Sequence, residues 1–177
     1  MLINKEYLKR FGIWPRNYDL TEVMNYVDIA EQIWVIPTIG YDWYEELQEQ
    51  VATNTLTPEN STALVKAIYP YLTMAVAYES CPILWGHLSE IGWTKGRSDN
   101  SDSLTLKEMT YISDHIKRQL QARGDYCKKW ICEHYTYYPL ADVCACNCDC
   151  CSNTGTLNKP RSFQQLYSTY TKNTNLR

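Results

Sequence analysis

The sequence predicts an all-α fold: a helical bundle of four to five helices with an extended C-terminal tail. Three observations carry this. Apolar residues recur three and four places apart along several segments. Capping residues stand directly ahead of those segments, and proline or glycine stands near their ends. The loops between them are short, and no internal repeat is visible. Of the 177 residues 45% are hydrophobic, enough for one domain with a real core and a tail.

The elements follow in chain order. Asn4 is placed as an N-cap, with Ile3 and Leu8 as a hydrophobic staple, and Gly12 stops a short helix after Phe11. Trp14-Pro15 is a turn. Asp19 opens a stronger helix, with Glu22 three residues on as in a capping box and Tyr18 with Val23 as its staple. Leu20, Val23, Val27, Ala30 and Trp34 form its apolar stripe, and Pro37 and Gly40 end it. The next helix spans roughly 42 to 52, with Trp43, Leu47 and Val51 on one face.

A polar loop over 53–56 leads to Thr57-Pro58-Glu59, which has a cap, a proline at the first helical position and an acid facing the positive helix end. Leu64, Ile68, Leu72 and Ala75 are the buried stripe here. Pro70 deprives the Lys66 carbonyl of its partner, so a kink is expected, and Pro82 ends or bends the helix again. Residues 83–104 read as a loop, with room for a short hairpin around 91–95. Thr105 with Glu108 is a capping box, and Leu104 with Met109 its staple. From there Leu106, Met109, Ile112, Ile116, Leu120, Gly124, Cys127, Ile131 and Tyr135 hold one stripe. Gly124 marks a close approach or a bend, and Tyr138-Pro139 closes the helix. The domain division is therefore 1–140, helical, and 141–177, a Cys-rich segment with an extended tail.

Composition points away from catalysis. There is no phosphate-binding glycine loop, and His87, His115 and His134 lie outside any zincin, triad or deaminase pattern. Glu45, Glu46 and Glu49 read as a solvated helix face. Asp99 to Asp102 lacks the glycine and closing glutamate of a calcium loop. No enzyme activity and no cofactor are expected. Five of the eight cysteines crowd into Cys144, Cys146, Cys148, Cys150 and Cys151. Four thiolates can hold zinc, but these lack paired Cys-x-x-Cys hooks, and remote partners would have to come from Cys127, Cys132 or His134 on a helix. Ordinary thiols are the favoured reading, and disulfides carry little weight for a chain made in a reducing cytosol. Cys127 and Cys81 read as small buried hydrophobes. A small metal-binding interaction module built on the cluster is the alternative function.

Net charge is −3, distributed unevenly: residues 1–143 sum to −6 and residues 144–177 to +3. An acidic body argues against broad nucleic-acid binding, and the basic tail suggests an acidic partner. In that tail Phe163, Leu166, Tyr167 and Tyr170 recur at helical spacing among Lys159 and Arg161. These six residues are the candidate partner-binding site, folding as a short helix in a groove. DNA binding by the tail is the rival reading, weakened by its few positive charges. The 15 Tyr and 6 Trp suit half-buried contact surfaces. Met1-Leu2-Ile3 runs directly into Asn4, Lys5 and Glu6, so no signal peptide is expected. No stretch approaches the ~18 apolar residues of a membrane span.

Asp28-Ile29-Ala30-Glu31 through Val35-Ile36-Pro37-Thr38-Ile39-Gly40, then Tyr44 and Leu47, then the Pro-interrupted helix from Tyr69-Pro70-Tyr71-Leu72 to Pro82, a glycine-bearing loop and a long helix ending near Tyr138-Pro139 form a recognisable order. This order resembles head–tail connector (ring or adaptor) proteins of tailed phages, most closely those of crAss-like phages infecting Bacteroidetes. The resemblance covers about residues 19–140. It implies a structural virion protein at the head–tail junction, made in the host cytoplasm and assembled as a ring, commonly of twelve copies. The implied partners are sister copies, the portal protein and further tail or ring proteins. Genome DNA would pass through the channel without sequence-specific binding, and no membrane is involved.

Overall fold

The computed structural model describes residues 1–15, 17–89, 92–95 and 105–141. Helix α1 (Lys5–Phe11) begins where Asn4 accepts a hydrogen bond from the Tyr7 N–H at 2.9 Å and ends at Gly12. Ile3 and Leu8 are both buried, as a staple requires. Helix α2 starts later than the sequence suggests. Asp19 turns its carboxylate onto the N–H and hydroxyl of Thr21, at 3.0 and 2.6 Å, forming a local turn instead of a capping box with Glu22. Regular structure begins with a 3₁₀ turn, Val23–Tyr26, and runs through Val27–Ala30, a π turn Glu31–Val35 and a last turn Ile36–Ile39.

The π turn changes which side chains reach the core. Leu20, Val23, Val27 and Ala30 are buried, as their spacing demands, but Val35 and Ile39 then replace Trp34 on the inner line. Trp34 moves to the rim, where its indole N–H donates to Glu79 at 2.7 Å and its ring meets Tyr78 edge-on. The wide turn also accommodates Pro37, which has no N–H to give. The Ile36 N–H reaches back five residues to the Glu31 carbonyl, and the helix passes through Pro37. Pro37 therefore does not end α2. Gly40 does, with φ 92° and ψ 150°, a region closed to other residues in practice. Replacing Gly40 by alanine is expected to cost about 1–3 kcal/mol in a denaturation series, with the helical signal retained.

Helix α3 (Tyr41–Thr53) buries Trp43, Tyr44 and Leu47 and stops at Asn54, whose φ of 56° is left-handed. Helix α4 covers 58–85. Thr57 caps it by accepting from the Asn60 N–H at 3.2 Å, and Pro58 occupies its first position. The α2 device recurs: a π turn, Leu64–Ile68, precedes Pro70 by the same interval, and the Tyr69 N–H bonds the Leu64 carbonyl five residues back. Leu64, Ile68, Leu72 and Ala75 are all buried. The helix continues through Pro82 to Trp85 and turns directly into β1 (Gly86–Ser89), which pairs antiparallel with β2 (Gly92–Lys95), Gly86 opposite Lys95. The hairpin thus starts earlier than residues 91–95 alone would place it.

Helix α5 (Leu106–Glu133) carries the full Thr105–Glu108 capping box. Leu104 lies outside the described residues, so its staple is not on view. Met109, Ile116, Leu120, Gly124, Cys127 and Ile131 are buried. Leu106 and Ile112 share the stripe yet lie exposed, on either side of the buried Met109. At Gly124 a Cβ would sit 3.0 Å from the Tyr71 ring, so the glycine permits close passage of α4 and α5. The Tyr71 hydroxyl donates to the Trp34 carbonyl at 3.2 Å, which ties α2 to the same crossing. A 3₁₀ turn, Tyr135–Tyr137, follows α5, and Tyr138 packs its ring on Trp43 while its hydroxyl donates to the Glu59 carbonyl at 2.9 Å. The described chain is thus an all-α bundle of five helices with one small hairpin.

Candidate interaction surface

Among the described residues, several groups that could carry chemistry take part in packing. Burial pushes the Cys127 thiol up to about 12, leaving it protonated and inert at neutral pH. Cys81 is raised for the same reason and lies 3.9 Å from the Met109 sulfur. Cys132 is disulfide-bonded, although the sequence gave disulfides little weight. His134 stacks on Trp130 with ring centroids 4.3 Å apart, and its Nδ1 lies 2.8 Å from the Trp130 carbonyl. Among the described residues no group of three or more His, Cys, Asp or Glu side chains could hold a metal ion.

Cys144, Cys146, Cys148, Cys150 and Cys151 fall outside the described residues. So do the tail residues Lys159, Arg161, Phe163, Leu166, Tyr167 and Tyr170, and Asp99 to Asp102.

Sequence reading passed over Glu31. Its side chain is fully buried, yet every oxygen is used. Oε1 accepts the Leu2 N–H, and Oε2 accepts the Tyr44 hydroxyl at 2.8 Å and faces the Met1 amine at 3.7 Å. One carboxylate thereby joins the N-terminal segment, α2 and α3. Burial, then the hydrogen bond to Glu31, pushes the Tyr44 hydroxyl far above its ordinary value. A second polar cluster links α3 to α4. Trp43 donates to the Asn60 side-chain oxygen at 3.2 Å, while the Asn60 amide donates to Glu46 at 3.1 Å and Gln50 at 3.0 Å. Glu46 is thus structural, whereas Glu45 and Glu49 are exposed.

What the surface offers is apolar area and segregated charge. Ile29 (43% exposed) and Ile33 (52%) stand four residues apart on α2. Tyr111 (69%) and Tyr126 (53%) stand on the outer side of α5. Between Arg16 and Lys66 the sequence has nine carboxylates and no Lys or Arg. Lys5 and Lys9 of α1 sit close enough to Asp19 to help hold its carboxyl below the usual range, after the larger effect of its bonds to Thr21. The acids of α3 have no such neighbour on their own helix: Asp42, Glu45 and Glu49 form one outward ridge, opposite Trp43, Leu47 and Val51. Helix α5 carries both signs, six Lys or Arg and four acids. Its outward ridge mixes both signs: Arg118 and Lys129, eleven residues and about 16 Å apart along the axis, alternate with Asp114 and Asp125, and Lys129 pairs with Glu133 at 3.9 Å.

The described chain is thus an all-helical protein whose buried polar groups serve packing and whose distinctive feature is its outer surface. It belongs to the family DUF6712, a family of unknown function, whose pattern matches residues 35–151. The match takes in Pro37, Gly40, Tyr44 and Leu47, and it also includes the cysteine segment that the phage resemblance left outside. No curated protein and no solved structure matches the chain.

Proposed function

We propose that this chain is a non-enzymatic structural subunit of a phage head–tail connector: a ring, of twelve copies by the resemblance, that docks under the portal and extends the DNA channel. The observation carrying this reading is the acidic outward ridge of α3, Asp42, Glu45 and Glu49, together with large apolar side chains left exposed at Ile29 and Ile33 of α2 and Tyr111 and Tyr126 of α5. A closed cyclic ring requires two different, complementary faces on each subunit. The junction between α2 and α3 supports the same reading. Glu31, Gly40 and Tyr44 lock the helices into a fixed shape, and a subunit that must repeat around an axis needs fixed angles. No helix among the described residues is long and apolar enough to cross a membrane, which suits a virion position reached from the host cytoplasm.

The test is particle size, alone and with the portal protein. Multi-angle light scattering should give a discrete oligomer or a stable portal complex, and electron microscopy of that complex should give a ring on the portal axis. A chain that stays monomeric at high concentration and ignores the portal would overturn the reading.

A further inference from the structure

Helix α2 shows the solvent an apolar stripe. Ile29, Ile33 and Pro37 recur at steps of four residues, and all three are exposed, Ile29 at 43% and Ile33 at 52%. We propose that this stripe is the seat of the chain's own C-terminal tail. Phe163, Leu166, Tyr167 and Tyr170 lie along it, and Lys159 and Arg161 meet the exposed acids of α2 and α3.

Length, charge and reach each favour this occupant. At helical spacing the four tail side chains cover seven residue steps, about 10 Å, and the stripe covers eight, about 12 Å. A short amphipathic helix laid along α2 buries both apolar lines at once. Residues 150–177 hold four cations and no acid, whereas residues 17–65 hold nine acids and no cation. Glu31 is buried among its own partners, but Asp28, Asp42, Glu45 and Glu49 are exposed, and none of them joins an ion pair among the described residues. Asp28 precedes Ile29, and Asp42 stands in the first turn of α3, directly after α2. The outward face of α5 offers a basic segment no such pull, because Asp114, Asp125 and Glu133 share it with Arg118 and Lys129.

The last described residue, Ala141, lies three places past Tyr138, whose ring is 4.7 Å from that of Trp43 on α3. The tail therefore leaves the body beside the helix that follows α2. Twenty-one residues separate Ala141 from Phe163. They allow up to about 70 Å of extended chain, against a radius of gyration of about 14 Å for a body of about 140 residues. A segment joined to its seat by one chain also starts from an effective concentration that a free basic partner must supply from solution. The docking needs only one copy. Under the ring reading it keeps Ile29 and Ile33 covered until a sister copy displaces the tail.

Hydrogen–deuterium exchange of the dilute full-length chain tests this. Amides of residues 163–170 should exchange at least about tenfold more slowly than in a free peptide of the same sequence. Ile29→Gln with Ile33→Gln should return them to the peptide rate, and circular dichroism should report an intact body, since both side chains are exposed. Phe163→Ser with Tyr167→Ser, which leaves the body as it is, should likewise match its own free peptide. A carbodiimide joins an amine to a carboxylate in direct contact. Lys159 should link to Asp28, Asp42 or Glu45 in the wild type and lose those links in both variants. In an equal mixture of unlabelled and isotope-labelled chains, the links should stay within one label. Wild-type amides that exchange at the peptide rate overturn the proposal. So does protection that survives the loss of Ile29 and Ile33, or Lys159 linked only to acids elsewhere. Links that cross labels as freely as random pairing place the tail on a sister copy and overturn docking within one chain. None of these measurements reads particle size, so the ring reading stands or falls separately.

Discussion

Glu31→Ala should lower unfolding stability by about 2–5 kcal/mol, one of the two largest effects expected of a single change. The substitution leaves the Leu2 N–H and the Tyr44 hydroxyl facing a void with no acceptor. Each buried donor stranded in this way costs about 1–3 kcal/mol. Glu31→Gln keeps the shape and one acceptor but loses the charge that strengthens both bonds, and about 1–3 kcal/mol is expected. Tyr44→Phe removes one of the two donors. In a double-mutant cycle the Glu31→Gln and Tyr44→Phe costs should therefore overlap instead of adding. Urea midpoints at constant slope give the answer. A Glu31→Ala midpoint indistinguishable from wild type would mean that this carboxylate holds nothing together.

The second large effect is a loss of stability in alkali. Burial, helped by neighbouring Tyr7 and Glu31, pushes the Tyr69 hydroxyl up to about 12. Tyr44, Tyr71 and Tyr138 are raised as well, chiefly by burial. In the unfolded chain tyrosines release their protons near 10. The unfolded state thus loses protons first, and stability falls as pH climbs from about 10 towards 12, with the contribution complete below 10. Tyr69 is 4% exposed, and its shift alone amounts to about 2–3 kcal/mol over that range. The other three deepen the fall. Unfolding free energies at pH 8 and pH 11 should differ by more than the Tyr69 share, and Tyr69→Phe should flatten the slope. A profile level to pH 11 would contradict the buried positions of these rings.

Much of the fold was legible because caps and breakers act over three or four residues. Asn4, Thr57 and Thr105 cap the helices that the sequence placed after them, and Gly40 and Gly124 serve as the sequence indicated. Asp19 misled because its carboxylate found Thr21 two residues away, a competitor that pattern cannot rank against a capping box. The regular 3.6-residue period placed Trp34 in the core, and no period foresees a π turn. Leu106 and Ile112 hold the spacing of the stripe yet stand exposed around the buried Met109, a distinction that spacing alone does not make. Glu31 was the costliest omission. Its signal was present: it lies four residues from both Val27 and Val35, on a line where every other member is apolar. The basic, aromatic binding segment expected at Lys159 to Tyr170 falls outside the described residues.

The paired wide turns ahead of Pro37 and Pro70 bear on how this chain tolerates change in length. A π turn houses one residue more than the ordinary repeat without breaking the rod. Insertions and deletions of a single residue, normally confined to connecting segments, can therefore be absorbed inside α2 and α4. Aligned sisters of this sequence should show lone gaps at 31–35 or 64–68, in the middle of helices, with the prolines two places beyond lost wherever the gap appears.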